Sequence, residues 1–95
     1  MEILHNGEVT DPELVELRKA VGWDYTPGEY DRILEGVYAY FTARDEGNLI
    51  GFVSVISDGV ADAFLVDLMV HPSYQKRGIG TELIKPKKVI DFRLL

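Results

Sequence analysis

The chain has 95 residues, 46% of them hydrophobic, a formal net charge of −6 and no cysteine. That length allows one small domain, residues 1–95, with a modest core, and the lack of thiols excludes disulfide staples and thiolate metal sites. No apolar run approaches the roughly 20 residues of a membrane span, and Met1-Glu2-Ile3-Leu4-His5-Asn6 lacks the cationic lead and long apolar run of a secretion signal. The expectation is a cytoplasmic protein with no membrane partner.

The charge is unevenly placed. Residues 1–70 carry 14 Asp and Glu against 4 Lys and Arg, whereas residues 71–95 carry 2 against 6. An acidic body without a basic stripe and interleaved aromatics argues against nucleic acid as a partner. It favours, weakly, a cationic ligand.

In chain order, Met1 to His5 fits a first edge strand closed by an Asn6-Gly7 turn. Thr10-Asp11-Pro12-Glu13 is a helix start with a capping box and an early proline. Leu14, Leu17 and Val21 give that helix one apolar stripe, and Gly22 ends it. Thr26-Pro27-Gly28-Glu29 repeats the start signal, and Tyr30, Ile33 and Leu34 form a second stripe closed by Gly36. Val37 to Arg44 is rich in strand formers, Asp45-Glu46-Gly47-Asn48 is a hairpin loop, and Leu49 to Ile56 is the returning strand. Ser57-Asp58-Gly59 turns the chain into Phe64 to Val70, apolar at six of seven positions and expected as a strand buried on both faces. The order β-α-α-β-β-β-α predicts an α+β fold, a mixed α/β layer.

His71-Pro72 stops the last strand. Gln75 to Thr81 then supplies two glycines, two cations and a run of backbone N–H groups, with Ile79, Leu83 and Ile84 as helical apolar positions. Strand, glycine turn and helix bring free N–H groups and the helix dipole toward one anion. Gly78 and Gly80 let a backbone approach a diphosphate closely, although an ordinary tight turn also uses glycine. A P-loop is excluded, because no Gly-Lys-Ser/Thr closes the turn. Pro86 falls where the helix would reach its second turn, and Val89, Ile90 and Phe92 suggest that it resumes after a kink or that Pro86 divides two short pieces.

Gln75-x-x-Gly78-x-Gly80 with Val70-His71-Pro72 upstream resembles the acetyl-coenzyme A signature of the GCN5-related N-acetyltransferase (GNAT) family. The resemblance implies the N-terminal part of an acyl-CoA N-acyltransferase fold, without its usual last strands and fourth helix. It implies acetyl-CoA as co-substrate and direct acetyl transfer to a primary amine, borne by a small molecule or a protein. Carried onto this chain, the motif puts the cofactor against Leu68, Met69, Val70, Gln75, Lys76, Arg77, Gly78, Ile79, Gly80 and Thr81. The backbone N–H groups of residues 75–81 would hold the pyrophosphate, and Leu68, Met69 and Val70 would pair with the pantetheine arm.

Asp67 is the one ionisable side chain in its strand and the candidate catalytic base or acceptor contact; anchoring a neighbouring turn is the competing role. Tyr38, Tyr40 and Tyr74 could offer a hydroxyl, but aromatic residues in such strands are more often core; His5 and His71 are too isolated in the sequence to be metal ligands, and His71 before Pro72 fits a strand-end cap. The tyrosine that protonates the leaving thiolate comes from the family's fourth helix, so no residue here takes that role. The other reading is a catalytically incomplete fragment that binds coenzyme A or oligomerises without turnover. An apolar edge at residues 64–70 would then seek a second copy, predicting a homodimer.

Overall fold

The computed structural model describes residues 1–85; Pro86 and the residues proposed to resume its helix lie outside them. Four strands, β1 (Glu2–His5), β2 (Ala39–Asp45), β3 (Asn48–Ser57) and β4 (Ala63–Val70), form one antiparallel sheet in the order β1-β2-β3-β4. Helices α1 (Asp11–Ala20) and α2 (Glu29–Gly36) lie between β1 and β2, and α3 (Ile79–Ile84) follows β4 through a short 3-10 turn at Pro72–Tyr74. The expected α+β order is present, with strand boundaries displaced by one or two residues.

Alternation along the strands gives the sheet two apolar faces. Phe41, Val53 and Val55 pack with Ile79 and Leu83 of α3. Their neighbours Phe52 and Met69 turn the other way, against Leu14 and Leu17 of α1 and Tyr30 of α2. Leu14 and Phe52 are both fully buried, which stabilises the fold by roughly 1.5–3 kcal/mol for each side chain. On the α3 side the approach is close: a Cβ on Gly51 would lie 3.0 Å from Leu83 Cδ1 and 3.2 Å from Ala43 Cβ.

Local chemistry fixes the helix starts. At α1 the Thr10 hydroxyl accepts from Glu13 N–H, while the Glu13 carboxylate accepts from Thr10 N–H at 3.0 Å, the expected capping box. At α2 the structure differs from expectation. The cap position is Gly28, at φ +89° and without a side chain to cap, and Thr26 does not cap. The Asp11 carboxylate of α1 instead accepts from the N–H groups of Gly28 and Tyr30.

Two bulges escape sequence reading. Ala43 pairs with Gly51 and Arg44 with Leu49, leaving Ile50 as the extra residue on β3. Phe52 pairs with Met69 and Ser54 with Val66, so Val53 faces both Asp67 and Leu68 on β4. The β2–β3 hairpin turns at Glu46 and Gly47, both at positive φ (+50° and +83°).

The expectation that the Phe64–Val70 strand is buried on both faces is corrected. β4 is an edge among the described residues, and Phe64 is 64% exposed, with Leu65 and Leu68 also exposed. Met69 alone of this strand is fully buried. An apolar run carries no period, so it cannot tell a central strand from an edge.

Candidate functional site

Two cavities meet the same short stretch of β4. The first lies over the glycine turn. Val70, Gln75, Lys76, Gly78, Gly80 and Thr81 line a hollow of about 260 Å³. Pro72 ends β4, and the His71 Nδ1 accepts from Ser73 N–H at 3.1 Å to cap the 3-10 turn. The Gln75 amide donates to the Val70 carbonyl at 3.0 Å, tying the turn back to the strand.

Gly78 then takes the left-handed conformation at φ +81° as the cap residue of α3. Nothing lies within 4 Å of where its Cβ would be, so the glycine serves backbone conformation rather than space. At Gly80, a Cβ would meet only Val70 Cγ2, at 3.7 Å, inside the hollow. The first N–H groups of α3 have no intrahelical acceptor, as in any helix. Lys76, at φ +65°, makes no ion pair among the described residues, and the Arg77 guanidinium lies 5.1 Å over the Tyr74 ring. Free N–H groups, two cations and an unfilled Cβ position suit a diphosphate, so these residues fit the cofactor that the motif implies.

The structure sorts the expected cofactor contacts by atom type. Gln75, Lys76, Arg77, Gly78 and Thr81 are exposed and Gly80 half-buried at the hollow, whereas the Met69 and Ile79 side chains are buried in the core. Only main-chain atoms of Met69 and Ile79 are open to a ligand role. Leu68 is exposed on the outer edge of β4, and Val70 is half-buried beneath the turn.

The second cavity, about 310 Å³, opens between the α1–α2 segment and β4, with Arg18, Asp24, Tyr25, Glu29, Tyr30 and Asp67 in its wall. The β4 bulge holds Asp67 in the left-handed region at φ +55°, a conformation that aspartate tolerates better than most residues. Its Oδ2 accepts from the Tyr30 hydroxyl at 3.3 Å, and its Oδ1 lies 3.4 Å from Arg18 Nη1. The same Nη1 donates to the Tyr30 oxygen at 3.1 Å, and Arg18 Nε donates to the Asp24 carbonyl. Burial pushes the Tyr30 phenol above its ordinary pKa, against the opposing effect of the Arg18 hydrogen bond. Tyr30 therefore stays protonated at neutral pH, as a donor to Asp67.

Arg18 and Tyr30 were not among the expected site residues, yet both left a trace in the sequence. Arg18 stands four residues after Leu14, on the helix face that should be apolar. Tyr30 is buried, and a buried phenol needs a partner for its hydroxyl. Two of the three tyrosines considered as hydroxyl donors are engaged elsewhere. Tyr40 donates to the Gly7 carbonyl and Tyr74 to Asp45 Oδ2, each at 2.8 Å. Among the described residues no cluster could hold a metal ion, and no helix is long and apolar enough to cross a membrane.

Among the described residues, a four-strand antiparallel sheet flanked by three helices, with a glycine turn beside a cleft lined by carboxylates, defines a mixed α+β class of domain. Residues 8–86 match the model of the acetyltransferase (GNAT) family, and the chain belongs to that family. Among solved structures, it is 31% identical to a GNAT-family acetyltransferase from Streptococcus pneumoniae, with a TM-score of 0.76 over 88% of this chain and 62% of that one. It is 25% identical to a protein of unknown function from Staphylococcus aureus, TM-score 0.74, over 86% of this chain and 63% of that one. It is also 25% identical to an aminoglycoside 6'-N-acetyltransferase complexed with coenzyme A, TM-score 0.73, over 88% of this chain and 51% of that one. The chain thus spans less than two thirds of the length of each of these neighbours. No curated protein gives a significant match.

Proposed function

We propose that this chain binds acetyl-CoA at the Val70–Thr81 turn and carries out direct acetyl transfer to a primary amine held beside Asp67. One observation carries the reading: the two cavities are joined by the Asp67–Val70 stretch of a single strand. Three residues of strand span about 10 Å, so a cofactor laid along this stretch reaches from the glycine turn to the carboxylate. Main-chain atoms of Leu68, Met69 and Val70 would guide the pantetheine arm. Lys76, Arg77 and the first N–H groups of α3 would hold the diphosphate.

In the transfer itself, the amine nitrogen forms a bond to the thioester carbonyl carbon and the carbon–sulfur bond breaks. The proton leaving the ammonium is taken at the acceptor cleft, where Asp67 is the carboxylate carried by the strand that joins the two cavities, and the sulfur leaves as a thiolate that takes a proton from solvent. A cysteine-free chain fits a cytoplasmic setting.

A second reading is favoured by the β4 edge. Phe64 and Leu68 are exposed on a strand with no outer partner among the described residues, so the chain would bind coenzyme A and pair with a second copy without turnover. Thermal unfolding with and without acetyl-CoA, followed by thiol release with a panel of amines, separates the two. A ligand at about 100 times its Kd adds roughly 2.7 kcal/mol, raising the midpoint of a domain of this size by on the order of 10 °C. That rise with amine-dependent thiol release supports transferase activity. The rise without release supports binding alone, and a cooperative melt with no rise overturns both.

A further inference from the structure

The acceptor cleft already contains a cation, and it belongs to the protein. The Arg18 guanidinium has four oxygen or ring partners: the Asp24 carbonyl, the Tyr30 hydroxyl, the Asp67 carboxylate and the face of Trp23, 5.3 Å from its centroid. These partners come from the segment after α1, from α2 and from β4, and Arg18 of α1 lines one cavity with Asp24, Tyr30 and Asp67. An alkylammonium ion is satisfied by the same set: a carboxylate, neutral oxygens and an aromatic face.

The contacts are unequal. Arg18 is anchored through Nε to the Asp24 carbonyl and against Trp23, while its link to Asp67 is 3.4 Å long. Asp67's other link, from the Tyr30 hydroxyl, is 3.3 Å. Both lie at the long end of hydrogen-bonding range, where the interaction is weak. Asp67 can therefore exchange one cation for another while Arg18 keeps its anchor. Asp24 and Glu29 also line the cleft and make no side-chain ion pair among the described residues, leaving it net negative even with Arg18 counted.

We propose that Arg18 is a built-in competitor for Asp67, so that the cleft admits cationic amine acceptors by displacement and Arg18 sets their affinity. The proposal rests on the acetyl-transfer reading and deepens it by naming the acceptor as an amine that carries positive charge without a nearby anion of its own. A zwitterionic amino acid would bring a carboxylate into a cleft whose net charge opposes it.

Trp23 is the single tryptophan of the chain and stacks on the Arg18 guanidinium, so its fluorescence reports the change in that cation's surroundings when Arg18 loses Asp67, without any turnover. The probe is 1,4-diaminobutane, with 1,4-butanediol and glycine as uncharged and zwitterionic controls. The diamine is expected to change Trp23 emission saturably, and neither control is. Arg18→Gln should bind the diamine about three- to tenfold more tightly, the loss of a competing ion pair of up to about 1 kcal/mol plus its like-charge repulsion. Arg18→Lys keeps the charge and should bind as the natural chain does, and Asp67→Asn should lose the response.

Weaker or unchanged binding by a folded Arg18→Gln variant overturns the proposal, as does a stronger response to glycine or no saturable response at all. If Arg18→Gln does not fold, wild-type binding by Arg18→Lys together with loss of response in Asp67→Asn supports the competition, and equal binding by all three overturns it. The acetyl-CoA melt is read separately. A thermal shift with no diamine response sinks the competitor and leaves the transferase reading standing, whereas a diamine response with no shift does the reverse.

Discussion

The carboxylate of Asp11, the first residue of α1, accepts hydrogen bonds from the backbone N–H groups of Gly28 and Tyr30 at 2.8 and 3.0 Å. One helix thereby supplies the cap that the next helix lacks. Asp11 is buried, so these are desolvated, charge-assisted bonds. Because α2 carries Tyr30, the cap also sets where the Tyr30 hydroxyl meets Asp67. Asp11→Ala should destabilise the fold by about 1–3 kcal/mol, the cost of losing a cap and leaving buried donors unpaired. Asp11→Asn, which keeps one acceptor oxygen, should lose less. Urea unfolding of the two variants checks the order; equal losses would deny Asp11 its capping role.

The Glu13 carboxylate takes part in the α1 capping box and in a two-pronged pair with Arg44, at 2.7 and 3.0 Å from Nη1 and Nη2. The hydrogen bond from Arg44 holds its pKa below the ordinary carboxylate value, with the Thr10 bonds adding and partial burial opposing. A folded pKa below the unfolded one means that the stabilisation is complete above the unfolded carboxylate range, near about 4.3. It is lost as pH falls through the folded value. Glu13→Gln should therefore lower the melting temperature at pH 7 by several degrees, for a loss of about 1 kcal/mol. The gap between variant and natural chain should close as the pH drops below about 4. A gap independent of pH would assign the effect to packing.

Gly80 faces the hollow at the glycine turn, and only Val70 Cγ2 lies near its missing Cβ. The fold has room for a side chain there, and valine is no worse a helix former than glycine. Gly80→Val should keep its far-UV circular dichroism and melting temperature while losing the acetyl-CoA thermal shift. An unchanged shift would remove the diphosphate from this turn.

Gly51 has the opposite character. Its Cβ would press on Leu83 Cδ1 at 3.0 Å, on Ala43 Cβ at 3.2 Å and on the Met69 carbonyl at 3.4 Å. Gly51→Ala pushes α3 off the sheet and should cost about 1–3 kcal/mol, the usual range for overpacking. Since α3 begins at the glycine turn proposed to hold the diphosphate, acetyl-CoA affinity should fall with stability in this variant, unlike in Gly80→Val. Calorimetric melts with and without acetyl-CoA distinguish the two patterns.

Local chemistry was legible in the sequence. The Thr10–Glu13 capping box, the Glu46-Gly47 hairpin, the Pro72 stop and the glycine turn into α3 each depend on residues within a few positions of one another, and each is formed by the structure. The glycine turn is such a local object, so its motif could be read directly. What the sequence left undetermined was anything resting on residues far apart in the chain. The burial expected for Phe64 and Leu65 failed because exposure depends on whether a neighbouring strand covers an edge. The cleft beside Asp67 was hidden for the same reason. Arg18, Tyr30 and Asp67 meet across separations of 12 to 49 residues, brought together by a bulge in β4 and by a cap lent from α1 to α2. Short-range hydrogen bonding and side-chain shape determined the turn, and only the packing of two helices against a bulged edge strand decided what stands beside it.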